Sequence, residues 1–128
     1  MPRNAWPKAD RRSHPRVNAN LAGQLVTAVP PMEAVVVRGR NISCTGVYCH
    51  IDRFIPPFQK LRLSMILPIR ENGRIHNETI QLEGVTVRVE PDREDPDVLD
   101  YHVAIFFENL SNEDKGLITT YVNQQKAG

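Results

Sequence analysis

Residues 61–67 read Leu-Arg-Leu-Ser-Met-Ile-Leu. Leu61, Leu63, Met65 and Leu67 occupy alternate positions, with Arg62, Ser64 and Ile66 between them. An extended chain points successive side chains to opposite faces, so this period of two marks a strand with one buried face. Pro68 lacks an N–H and is expected to close that strand, and Glu71-Asn72-Gly73 to turn the chain. Downstream, Ile80 and Leu82 lie on even positions but Val85, Val87 and Val89 on odd ones. That slip predicts a β-bulge at Glu83-Gly84, where glycine tolerates the extra residue. Residues 90–100 read as an acidic loop containing Pro91 and Pro96, followed by a strand through Tyr101, Val103, Ile105 and Phe107. Upstream, strands are expected along Leu21 to Val29, Ala34 to Arg40 and Val47 to Ile51, with Pro30-Pro31 and Pro56-Pro57 as breaks. Ser111-Asn-Glu-Asp114 resembles a capping box, and Leu117, Ile118, Tyr121 and Val122 follow at helical spacing. The fold class is therefore mainly β. Six or so antiparallel strands are expected to close into a barrel over about residues 17–108, with a C-terminal helix over about 111–125 covering one opening.

The chain has 128 residues, 41% hydrophobic and 24% charged, which suits a single globular domain. Its longest unbroken apolar run is five residues, Val103 to Phe107, whereas a membrane-spanning helix needs about 20. The N-terminus has no apolar stretch of the kind a secretory signal needs, so a reducing cytoplasmic setting is expected for Cys44 and Cys49. The net charge of +1 hides an asymmetry. Residues 1–16 carry Arg3, Lys8, Arg11, Arg12 and Arg16 against Asp10 alone, a net of +4, and the remainder carries a net of −3. A duplex-binding domain usually has a basic face on its body. A mildly acidic body with a short basic arm argues against DNA or RNA and favours a small anion.

Two segments carry the polar chemistry. Residues 1–10 read as a flexible tail, and residues 11–16, Arg-Arg-Ser-His-Pro-Arg, form an arginine arm just before the first strand. Arg12 and Arg16, with Arg11 beside them, each offer a planar fork that grips phosphate or the O6/N7 edge of guanine. An isolated pair of this kind is most often a solvated basic tail. Asn41-x-Ser43-x-x-Gly46 lies between two strands and read alone is a turn. Together the two segments suggest a polar patch on the barrel opposed by a cationic arm, an arrangement that suits a compact anionic nucleotide.

In this order the segments resemble the signature of the PilZ domain, RxxxR followed by D/N-x-S-x-x-G, matched here by Arg12, Arg16, Asn41, Ser43 and Gly46. The closing stretch from Tyr101 to Val122 is similar as well, so the resemblance covers about Arg11 to Val122. It implies a six-stranded PilZ-type β-barrel with a C-terminal helix that binds the bacterial second messenger cyclic di-GMP (c-di-GMP). By the same resemblance, Arg12 and Arg16 would hold phosphates and guanines, Asn41 and Ser43 would contact a guanine and its neighbouring phosphate, and Gly46 would leave room for the base. Asn41 stands where aspartate is commoner. An arginine before the motif, here Arg11, is associated in that family with a stacked pair of ligands, so two c-di-GMP molecules per chain are expected.

The other candidates are weaker. His14, His50, His76 and His102 are scattered, with no spacing supported by a third ligand, so no metal is expected. Cys44 and Cys49 are an odd number apart, which on a regular strand points them to opposite faces. Ser43, His50 and Asp52 contain triad residue types without a nucleophile elbow. The acids of 90–100 lack the glycine and terminal glutamate of a calcium loop. Trp6 lies in the tail, as a flexible aromatic or a contact for a partner protein. No catalytic residue and no cofactor are expected. The sequence reads as a cytoplasmic c-di-GMP receptor that passes its signal to an unidentified downstream protein, with a PilZ-fold adaptor that does not bind the nucleotide as the alternative.

Overall fold

Alternation of buried and exposed side chains runs through every strand and sets the architecture. A computed structural model describes residues 15–27 and 33–127. The elements are β1 (Val17–Thr27), β2 (Ala34–Ile42), β3 (Gly46–Ile51), β4 (Lys60–Glu71), β5 (Arg74–Glu90), β6 (Tyr101–Glu108) and α1 (Asn112–Ala127). All strand pairs are antiparallel, and the ring closes in the order β1-β2-β3-β6-β5-β4. Leu61, Leu63, Met65 and Leu67 point inward from β4, and Tyr101, Val103, Ile105 and Phe107 from β6, so both alternation patterns face one core.

Pro68 does not end β4, which continues to Glu71. Pairing of β4 with β1 stops at Met65, so Pro68 lies on a stretch bonded to β5 alone. An open edge tolerates a residue with no N–H. The bulge in β5 is also displaced from its expected place. The β4–β5 ladder runs regularly through Glu83 and Gly84, and the register slips between Thr86 and Arg88 on the β6 side. Gly84 faces inward, where a Cβ would lie 2.7 Å from Ile105 Cγ2. Thr86 also points inward and is fully buried. Its hydroxyl donates to the Pro56 carbonyl at 2.7 Å and accepts from the Gln59 N–H at 2.8 Å. The extra residue is Val87, which faces out at 45% exposure.

The helix begins at a serine cap, where Ser111 Oγ accepts from the Asp114 N–H at 3.0 Å. Glu113 and Asp114 sit in its first turn, where the helix dipole favours negative charge. Ile118, Tyr121 and Val122 are buried, and α1 packs on β4, β5 and β1. Its Gln124 amide donates to the Arg70 carbonyl and accepts from the Arg70 N–H, both at 2.8 Å. The side chain thereby fills a hydrogen-bonding place on the open edge of β4.

Candidate functional site

The connection from β2 to β3 is built of its own hydrogen bonds. The β2–β3 register slips between Gly39 and Asn41, leaving Arg40 as an extra residue in β2. Arg40 is exposed and Asn41 half-buried, while Ile42 returns to the core. The bulge thus brings two consecutive polar side chains away from the interior. Ser43 turns inward and is fully buried. Its hydroxyl accepts from the Thr45 N–H at 3.1 Å and pairs with Thr45 Oγ1 at 2.9 Å, and its N–H donates to the Gly46 carbonyl at 3.0 Å. The Phe107 N–H donates to the Thr45 carbonyl at 2.9 Å, and Cys44 Sγ lies 3.1 Å from Thr119 Oγ1 on the helix. At Gly46 an added Cβ would stand 2.5 Å from the Ile105 carbonyl oxygen. The space that glycine leaves is therefore taken by β6 and not by open surface.

Arg16 immediately precedes β1 and is exposed. Asn18 of β1 pairs directly with Asn41 of β2. Arg16 Nη1 donates to Asn41 Oδ1 at 2.9 Å, and Asn41 Nδ2 donates to Asn18 Oδ1 at 3.4 Å. The pairing of β1 with β2 therefore joins the end of the arginine motif to the start of the Asn-x-Ser-x-x-Gly motif across 25 residues of sequence. Arg11 and Arg12 lie outside the described residues. Asn18 belongs to this polar patch and escapes sequence reasoning, because only the strand register puts it beside Asn41. A cleft of about 360 Å³ between Gln24, Arg62, Gln81 and Glu83 lies on the β1–β4–β5 wall, away from this patch.

The histidines are not all scattered. His50 of β3 pairs directly with His102 of β6, and their rings stack with centroids 4.0 Å apart and planes 9° from parallel. Asp100 Oδ2 is hydrogen-bonded to His102 Nε2 at 3.3 Å, and its Oδ1 lies 3.4 Å from His50 Nδ1. Burial pulls His50 below the usual imidazole range, Asp100 opposes this, and His102 and Arg40 add to the lowering. The spacing of the histidines in sequence does not disclose this cluster. Strands β3 and β6 are neighbours in the barrel although far apart in sequence, and no local spacing reveals that. Cys44 and Cys49 are free thiols, and burial pushes the Cys49 thiol up to about 12. Among the described residues, no helix is long and apolar enough to cross a membrane.

The family model of the PilZ domain matches residues 10–124. No curated protein matches the chain. Among solved structures, the inhibitor of motility MotI/DgrA of Bacillus subtilis superposes with a TM-score of 0.72 at 23% identity, over 91% of this chain and 52% of that one. This chain thus spans about half the length of that protein. The PilZ domain of Escherichia coli YcgR, solved with c-di-GMP, gives a TM-score of 0.61 at 11% identity, over 91% of this chain and 92% of that one. The PilZ domain of CeSA from a cellulose-synthesizing bacterium gives 0.53 at 10% identity, over 87% and 97%. The chain belongs to the PilZ domain family.

Proposed function

We propose that this PilZ-family chain is a bacterial c-di-GMP receptor acting in the cytoplasm, a binding module and not an enzyme, which relays ligand occupancy to a partner protein. The observation that carries this reading is the 2.9 Å bond from Arg16 to Asn41. It holds a guanidinium fork and an amide side by side at the rim of the barrel. Arg16 would exchange that bond for phosphate oxygens or a guanine edge, with Arg12 four residues earlier supplying a second fork. Asn41 offers one acceptor and two donors to a guanine. Ser43 enters differently. Its hydroxyl is buried against Thr45, so its part is to fix the turn that presents Asn41.

Arg11 is proposed to bring the count to two stacked ligands per chain. Two copies of a dianion gather four phosphate charges, and a third guanidinium offsets part of their repulsion. Calorimetric titration with c-di-GMP, against GTP and single-stranded DNA as controls, tests the whole reading. Saturable binding of c-di-GMP alone is expected, at two per chain, falling to one in Arg11→Ala. A ratio of one in both proteins removes Arg11 from the site. The engaged Ser43 hydroxyl favours one competing reading, a PilZ-fold adaptor that does not bind the nucleotide, and absence of binding in this titration would overturn the receptor reading in its favour.

A further inference from the structure

We propose that His50, Asp100 and His102 form a binding site for a first-row divalent cation of the zinc class on the outer face of β3 and β6. Asp100 and His102 are two residues apart, which on extended chain puts them on one face, and His50 is the directly paired residue of the adjacent strand. One donor atom from each residue lies within 4.8 Å of the other two. A tetrahedral site with zinc–ligand distances near 2.0–2.1 Å has ligand atoms about 3.3 Å apart. His50 Nδ1 lies 3.4 Å from Asp100 Oδ1 and His102 Nε2 lies 3.3 Å from Asp100 Oδ2, each close to that edge, so a shared cation would draw one carboxylate oxygen towards both rings. The rings are stacked 9° from parallel, so ligation of one cation by both nitrogens requires the rings to rotate out of the stack.

The donor set is two imidazoles and one carboxylate. Imidazole suits zinc, copper and nickel, whereas magnesium and calcium prefer all-oxygen sites. Each of the three side chains is partly exposed, so a cation reaches them from solvent without opening the barrel. Glu90 of β5 is paired with His102 on its other side and lies outside the group of three, so water would complete the coordination. Its carboxylate is taken by the Tyr48 hydroxyl at 3.3 Å and by Arg88 at 2.8 Å. Asn41 pairs with Tyr48, two positions from His50 on β3, so the site lies about 7 Å along the strand from the asparagine patch and shares none of its residues. Its chemical consequence is local: a bound cation would tie Asp100, at the end of the 91–100 loop, to the wall of the barrel.

The test is addition of zinc chloride to the full chain, followed through the ring-proton signals of the four histidines by nuclear magnetic resonance. With one equivalent, the His50 and His102 signals are expected to shift together and ahead of those of His14 and His76. Magnesium chloride should leave all four unchanged. Calorimetry on His102→Gln and on Asp100→Asn should show zinc affinity lowered by about tenfold or more. Retained affinity in His102→Gln would overturn the proposal. So would a first response at His14 or His76, which would put the metal elsewhere. Because the ring signals are read on the unaltered protein, the test stands even where a variant fails to fold.

Discussion

Two connections in this barrel have nearly the same polar make-up and opposite physical characters. The β4–β5 turn carries Asn72 and Gly73 at φ of 54° and 76°, the left-handed pair that a two-residue hairpin requires. A Cβ added at Gly73 would touch nothing within 4 Å. The β2–β3 connection, Ser43 to Thr45, is also flanked by an asparagine, Asn41, and a glycine, Gly46, yet its serine is buried, Thr45 is bonded to β6 and Cys44 lies against the helix. The first glycine answers to backbone torsion, the second to a neighbouring strand. The hairpin tip leaves its polar groups to water, whereas the β2–β3 connection has its polar groups engaged by the fold.

The sharpest way to break this contrast is Gly46→Ala. The new methyl group would stand against the Ile105 carbonyl, so β3 and β6 must part, at a cost of about 3 kcal/mol read from urea unfolding. A cost near zero would mean that the connection is as pliable as the hairpin tip. Next in size is Arg16→Ala. Loss of c-di-GMP affinity by about 2 kcal/mol, roughly 30-fold, is expected by calorimetry, while stability stays within about 0.5 kcal/mol because Arg16 is exposed and precedes the barrel. Unfolding caused by this change would instead make Arg16 a structural brace. Gly73→Ala should cost about 1 kcal/mol of stability, the price of a left-handed alanine, and leave ligand affinity unchanged. The smallest effect is expected from Asn41→Asp. A second acceptor facing guanine's donors is offset by repulsion from phosphate, giving equal or slightly tighter binding, by no more than about 0.5 kcal/mol. A large loss there would show that Asn41 acts as a donor.

How far the fold is legible in the sequence follows the reach of each signal. Leu61 to Leu67 and Tyr101 to Phe107 state their strands outright, because alternation is local and one face of each is buried. The bulge is misplaced for a physical reason. Val85 and Val87 are apolar yet face outward, and Thr86 is polar yet faces the core, where Pro56 and Gln59 satisfy it. Hydrophobicity alone gives the wrong phase at that point. Of the candidate site, Arg16 and Asn41 are named by their motifs, but their meeting depends on the β1–β2 register. The pairing of His50 with His102 depends on a ring closure in which β3 lies beside β6, and nothing in either local stretch encodes it.

The Gln124 amide has a consequence for how these molecules behave in company. Beyond Met65 on β4 and before Glu83 on β5, the hairpin runs free of its barrel neighbours, leaving backbone groups that another chain's strand can pair with. At Arg70 both the N–H and the carbonyl are already occupied by one side chain of the helix. The helix therefore takes up the bonding places of Arg70 that a foreign strand would otherwise use. Loss of that amide should be felt first in crowded solution, as self-association that grows with concentration, while a dilute sample still folds.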